Sequence, residues 1–84
     1  MNYSIVIEKR ARQFISKQPQ TQRERLLKAI AKLPDEGDIK PLTGRSGFFR
    51  LRVGDYRVIH YVEHDRYVVV VIDAGNRGQI YKKN

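Results

Sequence analysis

Arg50 and Arg52 stand two residues apart, and Arg57 follows five residues later, across Gly54-Asp55. Gly-Asp between two runs rich in β-branched and aromatic residues suits a two-residue hairpin, with glycine where the backbone needs a positive φ. That turn would set Val53 opposite Tyr56, Arg52 opposite Arg57, Leu51 opposite Val58 and Arg50 opposite Ile59. Residues directly opposite share a face of the sheet, and side chains alternate along each strand. Phe49, Leu51, Val53, Tyr56 and Val58 therefore fall on one face, expected to be the core. Arg50, Arg52 and Arg57 gather on the other. Like charges directly across a strand pair destabilise it, and a solvated face without a task would mix signs. Planar guanidinium groups match phosphate oxygens bidentately, so the chemistry expected of this cluster is recognition of an RNA or DNA backbone.

A second stretch, Ala74-Gly75-Asn76-Arg77-Gly78-Gln79-Ile80-Tyr81, follows the most apolar run of the chain. Its two glycines would let the backbone turn and bring Arg77 and Tyr81 to the edge of the sheet. Tyr81 is read in two ways, as a packing residue with a wet hydroxyl or as a platform on which an exposed base stacks.

The elements that must carry these side chains follow from apolar periodicity. Asn2 to Ile7 alternates as a strand. From Glu8 the period lengthens, and Ile7, Ala11, Phe14 and Ile15 fall at helical spacing up to Pro19. Thr21 with Glu24 three residues later would form a capping box for a second helix, whose stripe of Leu26, Leu27, Ile30 and Leu33 ends at Pro34. Its opposite face, Arg23, Arg25, Lys28 and Lys32, is read as solvated. Residues 35–47 hold Gly37, Pro41, Gly44 and Gly47 and are expected to be a loop. Phe48 to Val53, Tyr56 to Val62 and Tyr67 to Ile72 read as strands, with a short last strand at Gln79 to Lys82. The fold expected is an α+β domain in which a two-helix hairpin covers one face of a twisted antiparallel sheet.

With 84 residues the chain supports a single domain, residues 1–84, around one core. It has no cysteine and no tryptophan, which removes disulfides, thiolate metal sites and cysteine nucleophiles. Seventeen Lys+Arg against nine Asp+Glu give a formal charge of +8 and a pI near 10.1. A polyanionic partner follows, nucleic acid first and an acidic protein second. The longest apolar run, Tyr67 to Ile72, is far too short to span a membrane, and Met1 to Arg10 lacks the apolar stretch of a signal peptide. A cytoplasmic protein without membrane, metal or cofactor partners is expected.

Lys40-Pro41-Leu42-Thr43-Gly44, then Phe49-Arg50-Leu51-Arg52-Val53-Gly54-Asp55-Tyr56-Arg57-Val58-Ile59, then Ala74-Gly75-Asn76-Arg77 with Tyr81 resemble the RelE/ParE superfamily of type II toxin–antitoxin toxins. The resemblance spans nearly the whole chain and implies the RelE fold, which is similar to that of microbial ribonucleases. RelE-type members are mRNA interferases that cut mRNA in the ribosomal A site and leave a 2′,3′-cyclic phosphate. ParE-type members poison DNA gyrase. An acidic cognate antitoxin holds either type inactive. The groove positions of the RelE branch map onto Arg50, Arg52, Arg57, Arg77 and Tyr81, which favours the endoribonuclease reading over a gyrase inhibitor or a nonenzymatic RNA-binding module. By resemblance Tyr81 would stack the base, Arg57 would stabilise the phosphorane and Arg77 would assist the leaving oxygen. One departure is chemical: the first two groove positions are commonly lysine in RelE toxins and are Arg50 and Arg52 here. Arginine does not give up its proton under protein conditions. Histidine titrates in the useful range, but the hairpin register gives His60 core-facing parity and His64 falls in a turn. A pre-oriented 2′-hydroxyl in a strongly positive site, assisted by ribosomal RNA, would remove the need for an efficient base from the protein.

Overall fold

The alternating residues near the start of the chain form β1 (Ser4–Ile7), and the change to helical spacing gives α1 (Lys9–Ser16) and α2 (Gln20–Ala31). Four further strands follow, β2 (Asp38–Pro41), β3 (Phe49–Val53), β4 (Tyr56–Glu63) and β5 (Val68–Asn76). The structure is a computed structural model and describes residues 2–76. Among the described residues, both helices pack on one face of a five-stranded sheet of order β1-β5-β4-β3-β2. Ala11 and Ile15 of α1, Leu26 and Ile30 of α2, and Leu33 meet Leu51, Val53, Val58, Val69, Val71 and Ala74 in one buried cluster. At about 25 cal/mol per Å² of apolar surface removed from water, this cluster is what holds the hairpin of helices to the sheet.

The hairpin register is the one expected. Val53 pairs with Tyr56, Arg52 with Arg57, Leu51 with Val58 and Arg50 with Ile59. Gly54 has φ +58 and is the only one of the two central turn residues with positive φ, the arrangement of a type II′ turn.

Five local expectations change. The sheet is mixed, because the chain crosses over through both helices and three strands before β5 returns parallel to β1, pairing Ser4 with Val68 and Ile7 with Val71. Residues 38–41, within the expected loop, form β2 and pair with β3 as an edge strand. β5 continues through Ala74, Gly75 and Asn76 instead of turning there, since Tyr56, Arg57 and Val58 supply backbone partners to Asn76, Gly75 and Ala74. The Thr21–Glu24 capping box does not form. Helix α2 begins at Gln20 with Pro19 in the cap position and no side-chain cap, and Glu24 instead accepts a hydrogen bond from Gln20 Nε2 at 3.0 Å. Leu27 is 43% exposed and lies off the core. The last expected strand, Gln79 to Lys82, lies outside the described residues.

β4 and β5 are joined by a single 3₁₀ turn at His64–Arg66, after which Tyr67 takes φ +54. Tyr3 and His64 Nδ1 share a hydrogen bond of 2.8 Å, and the Ser4 N–H donates to the Tyr67 carbonyl at 2.8 Å, which fastens the start of β1 to this turn.

Candidate functional site

Period-two alternation on β3 and β4 turns Leu51, Val53 and Val58 toward the helices, so Arg50, Arg52 and Arg57 emerge together on the opposite face. Their environments differ. Arg52 is exposed, and its Nε approaches the Gly54 carbonyl at 3.5 Å. Arg50 is half-buried, flanked across the ladders by Lys40 on β2 and Ile59 on β4. Arg57 is only 6% exposed, and both its Nε and its Nη1 are buried without a hydrogen-bond partner among the described residues. Its cross-strand neighbours are Arg52 on one side and Gly75 on the other. One adds positive charge and the other has no side chain to offer. The Asp73 carboxylate on β5 is committed elsewhere, 3.6 Å from Arg10 and accepting the Ala74 N–H at 2.9 Å.

A buried guanidinium without a carboxylate is expensive, with an effective penalty of several kcal/mol per ion. Those unpartnered N–H groups leave donors open to an anion. The fixed strands on both sides mean that Arg57 does not have to reorganise when negative charge arrives, which is the condition for strong electrostatic stabilisation of an oxyanion.

Arg77 and Tyr81, the other two residues expected in the groove, lie outside the described residues. His60 has the expected core-facing parity and is 1% exposed, stacked on Phe49 with ring centroids 5.9 Å apart. Burial pushes its imidazole below the ordinary 6.5, opposed in part by the backbone of Val58, so it adds no cation to the site at neutral pH. His64 sits in the exposed β4–β5 turn.

Two features of the surface were not anticipated. Along the arginine face beyond Ile59, Phe48 and Tyr61 meet edge to face with centroids 5.4 Å apart, and Arg45 Cζ lies 4.3 Å above the Phe48 ring. No sequence signal marked them, because Arg45 and Phe48 come together only through a tight loop closed by Leu42 N–H to Phe48 O at 2.8 Å. The face of α2 read as merely solvated also borders a groove of about 500 Å³, lined by Arg25, Lys28 and Lys32 together with Arg52 and Gly54 of the hairpin. Arg25 lies so close to the turn that a Cβ at Gly54 would sit 2.9 Å from its Nη1.

Residues 8–81 match the family model described as the ParE toxin of the type II toxin–antitoxin system parDE. No curated protein matches the chain. Among solved structures, it is similar to a chain of the archaeal RelE–RelB complex from Pyrococcus horikoshii OT3, with 26% identity over 94% of this chain and 99% of that one and a TM-score of 0.76. It is likewise similar to a chain of the intact E. coli RelBE toxin–antitoxin complex, with 27% identity over 92% of this chain and 99% of that one and a TM-score of 0.74. The isolated E. coli RelE toxin shares 26% identity over 96% of this chain and 93% of its own, with a TM-score of 0.72.

Proposed function

Because the chain belongs to the ParE toxin family of type II toxin–antitoxin systems, within the RelE/ParE superfamily, we propose that it is the toxin branch member that cuts mRNA, a ribosome-dependent endoribonuclease acting in the cytoplasm. The observation that carries this reading is Arg57, buried and without a carboxylate partner among the described residues, in a row with Arg50 and Arg52. A surface that only grips another protein gains nothing from burying such a charge. A surface that must offset a phosphorane does.

In the reaction the 2′-oxygen of the nucleotide in the ribosomal A site forms a bond to the adjacent phosphorus and loses its proton. The bond from phosphorus to the 5′-oxygen breaks, and that oxygen takes up a proton, leaving a 2′,3′-cyclic phosphate and a 5′-hydroxyl. Arg50 and Arg52 hold the flanking phosphates, and Arg57 stabilises the charge on the phosphorane oxygens. Arg77 is assigned to the leaving oxygen and Tyr81 to stacking of the base, both from the family pattern. Neither arginine of β3 serves as a proton acceptor, so alignment of the 2′-hydroxyl, with ribosomal RNA beside it, supplies what a protein base would.

The family match to ParE toxins favours a second reading, inhibition of DNA gyrase. The two part in one experiment. Purified protein added to a translation mixture should cut mRNA within ribosome-bound codons, and induced expression should arrest growth without double-strand breaks in DNA. Intact mRNA with gyrase-dependent breaks would transfer the chain to the second reading.

An acidic cognate antitoxin is the remaining partner. The groove bordered by Arg25, Lys28, Lys32 and Arg52 offers four cations against one carboxylate, Glu36, and suits an acidic segment. Its association rate should fall steeply between low and moderate salt, since steering between opposite charges is screened over about 8–10 Å. A rate indifferent to salt in stopped-flow mixing would make the interface chiefly apolar.

A further inference from the structure

The arginine row does not end at Arg50. Tyr61 follows Ile59 by one period on β4, and Phe48, the residue just before β3, lies one period ahead of Arg50. Their rings meet edge to face at 5.4 Å. Arg45 is held with its guanidinium 4.3 Å above Phe48, and neither ion pair found among the described residues involves it. Three backbone hydrogen bonds, Leu42 N–H to Phe48 O at 2.8 Å, Arg45 N–H to Leu42 O at 3.3 Å and Phe48 N–H to Arg45 O at 3.2 Å, hold the loop that presents it. Gly44 and Gly47 of that loop have open space where a Cβ would stand, so the approach to the exposed Arg45 is not walled in.

We propose that Arg45, Phe48 and Tyr61 form an auxiliary nucleotide subsite, which takes an unpaired base of the bound RNA strand against the aromatic rings and its phosphate on Arg45. It rests on the endoribonuclease reading and extends it. Tyr61 is four residues from Arg57, about 13 Å along an extended strand, so the subsite lies a few nucleotides from the scissile bond. Every base has a π-face, so the contact adds affinity for the strand with little preference among bases. Arg45 contributes twice, as a counter-ion to phosphate and as a cation over an aromatic ring.

The test compares wild type with Arg45→Ala, Phe48→Leu and Phe48→Trp in cleavage of a translated mRNA at varied toxin concentration. Arg45→Ala and Phe48→Leu should raise the toxin concentration needed for half-maximal cleavage by about 5- to 150-fold, the range for loss of one stacked base, and leave the rate at saturation unchanged. Phe48→Trp should restore it. Arg45 is exposed, so its variant folds even if a change at Phe48 does not. Wild-type half-saturation in both variants overturns the subsite, and so does an equal loss in all three at unchanged folding. Should wild type leave translated mRNA intact, the endonuclease reading fails, and binding of fluorescent oligouridylate to the free proteins decides the subsite alone. Weaker binding by Arg45→Ala and Phe48→Leu upholds it, and equal binding removes it.

Discussion

Replacing Arg57 with Ala should slow cleavage of translated mRNA by about 100- to 1000-fold, the effect of deleting one preorganised donor to a developing oxyanion, while the melting temperature holds or rises. The two readouts move apart because the same burial has opposite consequences for them. In the resting protein Arg57 is 6% exposed, with Nε and Nη1 buried and unpartnered among the described residues, and it faces a second arginine across the ladder, so its removal relieves desolvation and repulsion. Loss of the packed aliphatic stem offsets part of that gain. In the transition state the same low-dielectric position makes the guanidinium more effective than an exposed arginine. Arg57→Lys should recover only part of the rate, because an ammonium keeps the charge and loses the planar fork. A variant lacking both Arg57 and Arg77 that still cleaved at the wild-type rate would remove both from the mechanism. A variant of Arg57 alone that cleaved normally and melted well below wild type would make the residue structural.

Leu51→Ala should behave in the reverse sense. Leu51 is 1% exposed, lies between Arg50 and Arg52 in sequence, and points to the opposite face, into the cluster with Leu26, Ile30 and Val58. Gly37 packs so tightly on it that a Cβ there would stand 2.7 Å from Leu51 Cδ1, leaving little room for the site to collapse into a smaller residue. Truncation of a buried leucine costs about 2–5 kcal/mol, which for a domain of this size lowers the melting temperature by roughly 10–30 °C. Cleavage per folded molecule, measured well below the transition, should stay near wild type. Calorimetry showing a melting temperature close to wild type would mean that the alternation along β3 is held by something other than its core side chains.

These two variants separate what the sequence discloses from what it conceals. The placement of Arg50, Arg52 and Arg57 was legible because one tight turn fixes the pairing and strict alternation carries it down both strands. Burial of Arg57 was not legible, since β-parity assigns a face and not a depth. β2 escaped because Asp38-Ile39-Lys40-Pro41 is short, charged and ends in proline, features that suit an edge strand and a loop equally well. The extension of β5 through Ala74-Gly75-Asn76 escaped for a related reason. Glycine and asparagine favour turns locally, but a partner strand as long as β4 supplies backbone hydrogen bonds that override the preference. The capping box failed because the helix starts two residues earlier, with Pro19 and not Thr21 in the cap position, and Arg45 joins Phe48 and Tyr61 through a loop that no periodicity describes.

The pairing of β1 with β5 joins the first strand to the last described one, and β5 also supplies Val69, Val71 and Ala74 to the buried cluster. Contacts at that sequence separation form late in folding, after the entropy of closing the intervening chain has been overcome. A nascent chain emerging from the ribosome in order, at about 5–20 residues per second, therefore has neither a neighbour for β1 nor a complete core until residues 68–76 are clear of the exit tunnel. Arg57 has one flanking strand, β3, during that interval and lacks the other. The two strands that flank Arg57 are therefore both in place only once β5 has joined the sheet.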